Sequence, residues 1–327
     1  MNKISIIIPC YNEEKAVPIF YESIKDVAAN METVDFEFIF VDDGSKDKTL
    51  NLVKKYSELD KRVKYLSFSR NFGKESAIYA GLSYCTGNYI GIMDVDMQDP
   101  PQLLKEMYET LIKEQFDCVA ARRSDRKGEP IFRSFLSQKF YKLINRISDT
   151  EIVDGARDFR LMKRGVADCI LEMKEYNRFS KGLFGWVGFK TKWISYENVE
   201  RSAGETKWSL WKLFKYSLDG IIDFSTMPLL ISYFLGILFC ILSLVMIGYV
   251  SLKTIIFGNP VTGWTSLVCI VFLLSGIQLL CLGILGQYMA KSYMEVKKRP
   301  KFIVKESNYD RTCNNKYLNY IMYFIYL

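Results

Sequence analysis

The chain contains no histidine in 327 residues, which removes Ser-His-Asp triads, Cys-His dyads, HExxH zinc sites and imidazole bases together. Carboxylates, lysine, arginine or a metal ion must carry any chemistry. The eight cysteines, at 10, 85, 118, 169, 240, 269, 281 and 313, form no CxxC pair and lie mostly in apolar surroundings. That distribution reads as reduced core or membrane residues rather than disulfides or zinc ligands. No GxGxxG occurs, and the stretch "NFGKES" lacks the GxxxxGK[ST] spacing because Phe68 stands where its first glycine belongs. A dinucleotide enzyme and a P-loop NTPase are therefore disfavoured. The opening run Ile4 to Ile8 is too short for the apolar part of a signal peptide. The N-terminal part is expected to stay in the cytoplasm.

What is present bounds the class. Hydrophobic residues make up 49% and charged ones 25%, enough apolar material to offset chain entropy in one or two domains. The net charge of +7 leans toward anionic partners such as phosphates or a lipid surface. The soluble part has no interleaved basic and aromatic surface, so nucleic acid is not expected as a partner.

Residues 1 to about 115 alternate between strand and helix signals. Strands are predicted at Ile4 to Ile8, Phe36 to Val41, Val63 to Phe68 and Tyr89 to Met93. Helices are predicted at Lys15 to Ala29, Asp47 to Leu59, Ser76 to Cys85 and Pro101 to Glu114. Phe116 to Ala121 reads as a further strand, and 116 to 204 is less regular and Arg-rich. Strands about 25 to 30 residues apart with helices between them imply right-handed crossovers and a mostly parallel sheet, with ligands beyond the carboxyl ends of its strands. The polar clusters "PCYNEE", "DDGS", "SRNFGK" and "DVDMQD" fall at those ends.

After about residue 204 the character changes. Met227 to Leu252 and Gly263 to Ala290 carry no charge, and each is long enough to cross a hydrocarbon core of about 30 Å at about 1.5 Å per residue. The flanks "KWSLWKLFKYS" and "KSYMEVKKRPK" are basic, which places both on the cytoplasmic side. Between 205 and 226, Leu210, Leu213, Phe214, Leu218 and Ile221 mark one helical face, as in a helix lying at the membrane interface with Trp208 and Trp211 at headgroup depth; an amphipathic core helix has the same pattern. The expected division is a catalytic-type domain over 1–204, an interfacial helix over 205–226, a membrane hairpin over 227–290 and a basic cytoplasmic tail over 291–327.

The chemistry centres on "IMDVDMQDPP", where three carboxylates crowd the end of an apolar run. Residues i and i+2 of an extended segment point to one side, so Asp94 and Asp96 can face one site. Mg²⁺ or Mn²⁺ takes one or two carboxylates and completes its shell with substrate phosphates and water. A DxD triplet alone is more often a solvated loop. Here it shares a rim with Asp42-Asp43 and Glu13-Glu14, which points to a metal-nucleotide site.

"IIIPCYNEE", "VDDGSKDKT", "SRNFGKESAIYAGL", "MDVDMQDPP", "DFRLM" and "NRFSKGLFGWVGF", followed by two apolar spans, resemble the polyprenyl-phosphate glycosyltransferases of family 2, GT-A class. That family includes dolichol-phosphate mannose synthases and bacterial bactoprenol glucosyl and N-acetylglucosaminyl transferases. The resemblance covers about residues 3 to 305. It implies an α/β, Rossmann-like GT-A domain with a mostly parallel sheet, an interfacial helix and two transmembrane helices, in a multi-pass protein of the inner or plasma membrane. It further implies inverting, metal-dependent transfer of a hexose or N-acetylhexosamine from a UDP-sugar to undecaprenyl phosphate.

By the same resemblance Pro9, Tyr11, Glu13 and Asp42 hold the uracil and ribose, Asp94 and Asp96 the metal and diphosphate, and Gln98 is a further metal ligand. Asp158 matches the acidic residue taken as base or acceptor-positioning group, with Asp96 the other catalytic position. Tyr11 also suits packing, Asp42 a helix N-cap and Asp158 an ion-pair partner of Arg160. An acceptor phosphate calls for Arg or Lys; Arg123 and Arg133 are the expected ligands, with Lys207 reaching in from a mobile loop, although a solvated or lipid-facing basic loop has the same composition. A processive polysaccharide synthase is disfavoured by the lack of a QxxRW motif and of further spans. A catalytically silent nucleotide-sugar-binding membrane scaffold is the rival from another class. A homo-oligomer is compatible with the sequence and not required by it. The segment from Ser307 to Leu327 resembles nothing in the family and has no assigned role.

Overall fold

Nine-residue and shorter apolar runs form the strands of the soluble unit, and the central ones are buried along almost their whole length, as expected for parallel strands covered on both faces. The computed structural model describes residues 1–124, 153, 155–197, 227–257 and 263–309. In chain order the first unit contains β1 (Asn2–Cys10), α1 (Ala16–Ala29), β2 (Val34–Asp42), α2 (Thr49–Leu59), β3 (Val63–Phe68), α3 (Lys74–Tyr84), β4 (Tyr89–Ile92), α4 (Leu103–Lys113) and β5 (Cys118–Arg123). After residues outside the described set come β6 (Ala156–Lys163), α5 (Arg164–Glu172), α6 (Ser180–Trp186) and β7 (Thr191–Tyr196). Two long helices follow, α7 (Met227–Phe257) and α8 (Trp264–Lys297), and then a short strand, β8 (Val304–Ser307).

The eight strands form one sheet in the order β7-β5-β6-β4-β1-β2-β3-β8. Pairings β1/β2, β1/β4, β2/β3 and β5/β7 are parallel, whereas β6 runs antiparallel to β4 and β5, and β8 antiparallel to β3. This is the mostly parallel, Rossmann-like GT-A architecture expected. Side chains from alternate positions of β1 divide between two cores. Ile4, Ile6 and Ile8 pack with α1 and α4, while Ile7 packs with α3 and α5. Helix α3 lies so close that a Cβ on Gly81 would stand 2.2 Å from Ile7 Cγ2, a distance only glycine tolerates.

The segment after α8 differs from the expected basic tail. It returns to the sheet as β8, and Phe302, 2% exposed, stacks on Phe68 with ring centroids 5.1 Å apart. Lys54 Nζ meets Glu306 Oε2 at 2.6 Å. The Asn308 side chain accepts the Tyr65 N–H at 2.8 Å and donates to Val63 O at 3.1 Å, occupying backbone groups of β3 that would otherwise form an open edge.

The second unit holds α7 and α8. Met227–Met246 and Ile270–Lys297 are long and apolar enough to cross a membrane, with mean hydropathies of 2.6 and 2.0. Large apolar side chains such as Phe234, Leu244, Phe272 and Leu279 face outward, the arrangement a lipid environment favours. The predicted interfacial helix, with Trp208, Trp211 and Lys207, lies outside the described residues.

Candidate active site

The loops after β1, β2, β3 and β4 meet at one rim of the sheet. The first two are joined by side chain to backbone bonds in both directions. Ser45 Oγ accepts the Asn12 N–H at 2.9 Å, Thr49 Oγ1 that of Glu13 at 2.8 Å and Asp47 that of Glu14 at 3.1 Å. In return Asn12 Oδ1 accepts the Lys46 N–H at 2.8 Å and Glu14 Oε2 that of Lys48 at 3.1 Å. Of the residues singled out in "PCYNEE", Pro9 lies near the end of β1, paired with Val41 of β2, and Tyr11 and Glu13 sit on the following loop, which these bonds hold against "DDGSKDKT". Asp42 is buried, accepting from Ser67 Oγ at 2.8 Å and from the Ser45 N–H at 3.1 Å.

Asp43 ties this pair of loops to the next. Its two oxygens accept the backbone N–H groups of Phe72 at 2.6 Å and Gly73 at 2.9 Å. The approach requires Gly44, at φ +69°, where a Cβ would lie 2.5 Å from Arg70 C. Burial pushes the Asp43 carboxyl up to about 6, with the two N–H groups opposing the shift. A carboxyl whose folded pKa is raised contributes stability that is present below its unfolded value near 4 and is lost as pH rises through about 6. Melting temperature should therefore fall across this window in the native protein. Asp43→Asn should flatten that slope while lowering the melting temperature throughout, because an amide accepts only one of the two bonds.

The anchored loop delivers Lys74, the first residue of α3, into the middle of the site. Its ammonium meets Asp94 Oδ1 at 2.7 Å and bonds Asp158 Oδ2 on the other side. The side chains are 41%, 22% and 19% exposed for Lys74, Asp94 and Asp158, so the cluster is reached by solvent yet largely enclosed. Desolvation opposes the charge of Lys74, but Asp158 and Asp94 outweigh it and hold the ammonium well above its ordinary pKa. Desolvation likewise opposes the charge of Asp158. Lys74, then Lys181 and Arg160, hold its carboxyl well below the usual carboxylate range. Asp158 is thus an ionised group at any neutral pH and a poor proton acceptor. Its carboxylate partner is Lys74 rather than Arg160, whose guanidinium Nε instead faces the Asp158 backbone oxygen at 3.4 Å.

The neighbouring Glu75 turns the other way and accepts from Ser180, from the backbone N–H at 3.1 Å and from the hydroxyl. One turn of α3 therefore braces the "DVD" loop, β6 and α6 together. Lys74 belongs to a segment that resembles no complete phosphate loop, and its importance is visible only in three dimensions; a GK pair at the carboxyl rim of the third strand is the signal that points to it.

The DxD segment is a turn rather than the extended stretch expected. β4 ends at Ile92, Val95 and Asp96 lie in a turn, and Met97 has φ +59°. Such a φ is strained for a residue with a long side chain. The strain is held by what lies behind it. Asp99, fully buried, accepts Arg157 Nε at 2.9 Å and the Tyr196 hydroxyl. Arg157 Nη2 donates to Gln98 Oε1 at 3.2 Å, and Asp96 Oδ1 accepts the Gln98 N–H at 3.2 Å. Arg123 joins the same network through a hydrogen bond to Tyr196. Of the other expected phosphate ligands, Arg133 and Lys207 lie outside the described residues.

Among the described residues no three His, Cys, Asp or Glu side chains gather into a cage for a metal. The loop instead fits a cation completed by substrate. Mg²⁺ and Mn²⁺ need only one or two protein carboxylates when phosphate oxygens fill the remaining positions, and Asp94 already pairs with a cation, the Lys74 ammonium.

Residues 5–171 match the model of the family described as glycosyl transferase family 2. The chain is 42% identical over 303 residues to the prophage bactoprenol glucosyl transferase homolog of Escherichia coli (strain K12), covering 93% of this chain and 98% of that protein. It is 39% identical over 306 residues to the SfII prophage-derived bactoprenol glucosyl transferase of Shigella flexneri, covering 94% and 98%. Among solved structures it resembles the mannosyltransferase PcManGT from Pyrobaculum calidifontis at 18% identity and a TM-score of 0.44, over 62% of this chain and 58% of that one. The matched region contains every strand and loop that builds the rim from β1 to Asp158, and the chain belongs to glycosyl transferase family 2.

Proposed function

We propose that this protein transfers a hexose or N-acetylhexosamine from a UDP-sugar to undecaprenyl phosphate, with inversion at the sugar carbon, on the cytoplasmic face of the cell membrane. The observation that carries the reading is the Asp94–Lys74–Asp158 bridge. It sets a diphosphate-type loop and an acceptor-side carboxylate around one point in a chain that also has two apolar helices. Relatives named as bactoprenol glucosyl transferases align along nearly the whole chain, which supports the lipid acceptor.

Asp94 and Asp96, with the free lone pair of Gln98 Oε1, are the groups that would hold Mg²⁺ or Mn²⁺. When bound, the ion neutralises charge developing on the diphosphate as the sugar leaves. Pro9, Tyr11, Glu13 and Asp42 frame the nucleoside side of the rim. Lys74, held by Asp158, would stand beside the departing diphosphate, and Asp94 would be shared between that ammonium and the ion. The acceptor phosphate is already largely a dianion at neutral pH, because its second pKa is near 6. One of its oxygens attacks the sugar carbon, the bond from that carbon to the diphosphate breaks, and the electron pair leaves with UDP. No proton needs removal, which agrees with an Asp158 too acidic to serve as a base. Asp158 orients Lys74 and balances its charge. Arg123, Arg133 and Lys207 are proposed to hold the acceptor phosphate.

The pairing of β8 with β3 supports a hairpin of α7 and α8 that enters and leaves the membrane on one side. The basic flanks then favour the cytoplasm for both ends of the hairpin. Product analysis tests the reaction. Detergent-solubilised protein given undecaprenyl phosphate, Mg²⁺ and a labelled UDP-sugar should yield a sugar-phosphate lipid whose anomeric configuration is opposite to that of the donor. Retained configuration, or label found only as free sugar, contradicts the proposed displacement.

A further inference from the structure

The loop that carries Lys74 into the site has no regular structure of its own. Ser69, Arg70 and Asn71 are exposed, and Phe72 and Gly73 are half-buried. Asp43 holds the backbone N–H groups of Phe72 and Gly73 from one side. The segment that follows α8 holds the other. Lys298 to Lys301 alone separate α8 from Phe302, whose ring stacks on Phe68 at 5.1 Å, and Phe68 in turn meets the Phe72 ring edge to face at 5.8 Å. Ile303 O accepts the Ser69 N–H at 3.0 Å, where the chain leaves β3.

The same segment grips α3 beyond the loop. Phe302 lies 6.3 Å from the Tyr79 ring, and the Lys301 ammonium stands 3.9 Å over that ring. Tyr79 follows Lys74 on one helix, so Lys74 is fixed both through the residues before it and through the residues after it. Covering the edge of β3 accounts for the Lys54–Glu306 pair and for the Asn308 bonds to Val63 and Tyr65. It does not account for Phe302 and Ile303, which act where the edge ends. There the pairing shifts register between Ser67 and Phe68, with Val304 opposite Phe68, and such a bulge re-aims the strand. The strand is turned toward the Lys74 loop.

We infer that Phe302 and the Ile303 carbonyl are positioning groups, which fix the "SRNFGK" loop so that the Lys74 ammonium reaches both Asp94 and Asp158. Phe302 lies well beyond the residues matched by the family model, 5–171, and the contact makes the segment after the second apolar helix a part of the active-site scaffold. Its effect on turnover rests on the proposed transfer; the fixing of the loop does not.

A double-mutant cycle and amide hydrogen exchange on the purified full-length protein test this. Phe302→Ala should lower turnover by about ten- to a hundredfold, the scale of a slightly misplaced group near the reacting centre. In the Lys74→Met background the same change should cost about twofold or less, because the group it positions is already gone. Ile24→Ala, a fully buried core change on α1, should act by the same factor in both backgrounds. Exchange in peptides covering 69–74 should quicken by about tenfold in Phe302→Ala, while the β1 peptide covering 4–8 keeps its protection. Phe302→Leu, which retains an apolar side chain and loses the ring stacking, should show smaller effects in the same directions, and it replaces Phe302→Ala in each comparison if that variant does not fold. Equal factors for the Phe302 change in both backgrounds, or exchange rising in 4–8 as much as in 69–74, would overturn the inference and leave Phe302 a core residue only. Absence of transfer with every UDP-sugar would instead defeat the proposed reaction, with the exchange measurement still deciding whether Phe302 holds the loop.

Discussion

Replacing Lys74 with methionine is expected to lower turnover by about 10² to 10³, the range measured when one preorganised electrostatic contact to developing charge is removed. Two effects combine. The ammonium proposed to stand beside the leaving diphosphate is lost, and Asp94 and Asp158, both bonded to that ammonium, are left as like charges facing one another. Asp158 then loses the influence that holds it below the ordinary range. A carboxylate with a depressed folded pKa contributes stability above its unfolded value near 4, lost only as pH falls through the lower folded value. The native enzyme should therefore show no acid limb from Asp158, and Lys74→Met should gain one at higher pH. The stability loss should be modest, because the lysine side chain is 41% exposed and solvent screens the pair. Mn²⁺ affinity without nucleotide should rise, since the ion no longer competes with an ammonium for Asp94. Turnover and metal affinity moving in opposite directions, with Lys74→Arg between native and mutant in both, distinguishes this role from a structural one, in which both would fall together.

Asp96→Ala should cost more, about 10³ or greater in turnover, with a parallel loss of metal-dependent UDP binding. Its carboxylate accepts the Gln98 N–H at 3.2 Å across the tip of the loop, while the loop base is held by Asp99, Arg157 and Tyr196. The melting temperature should therefore change little. Binding of UDP with Mn²⁺, followed by calorimetry in native protein and mutant, checks this. Unchanged affinity in Asp96→Ala would remove Asp96 from the metal site.

The strands from β1 to β4 and helices α1 to α4 were legible to within a few residues because buried parallel strands appear as continuous apolar runs. Ile4 to Ile8 is such a run, and all five residues are fully buried. β6 was not legible. Its sequence "ARDFRLMK" mixes charge with apolar residues, because an antiparallel strand next to a catalytic rim sends Asp158 and Arg160 into the site and Phe159 into the core. β8 escaped notice for a related reason: "VKES" is a polar edge strand whose place is set by Phe302, which precedes it in an otherwise basic segment. Asp94 and Asp96 were singled out from their position after a strand, and Asp158 from the resemblance alone; the geometry that presents Asp94 and Asp96 is a strained turn and not an extended segment. Lys74 was passed over because its segment was compared with a phosphate loop it does not match. Its role depends on Asp43 and Gly44, which bring "RNFGK" across to β4 and β6, a long-range arrangement that local spacing does not record.

Release of UDP by the purified protein, measured against undecaprenyl phosphate concentration with Mg²⁺ or Mn²⁺ and a panel of UDP-sugars, tests the central claim most directly. Saturable, lipid-dependent release with at least one sugar, equal in amount to the sugar-lipid formed and abolished in Asp96→Ala, is the predicted result. Tight binding of UDP-sugars with no lipid-dependent release for any of them would contradict it and leave a membrane scaffold that binds nucleotide sugars without turning them over.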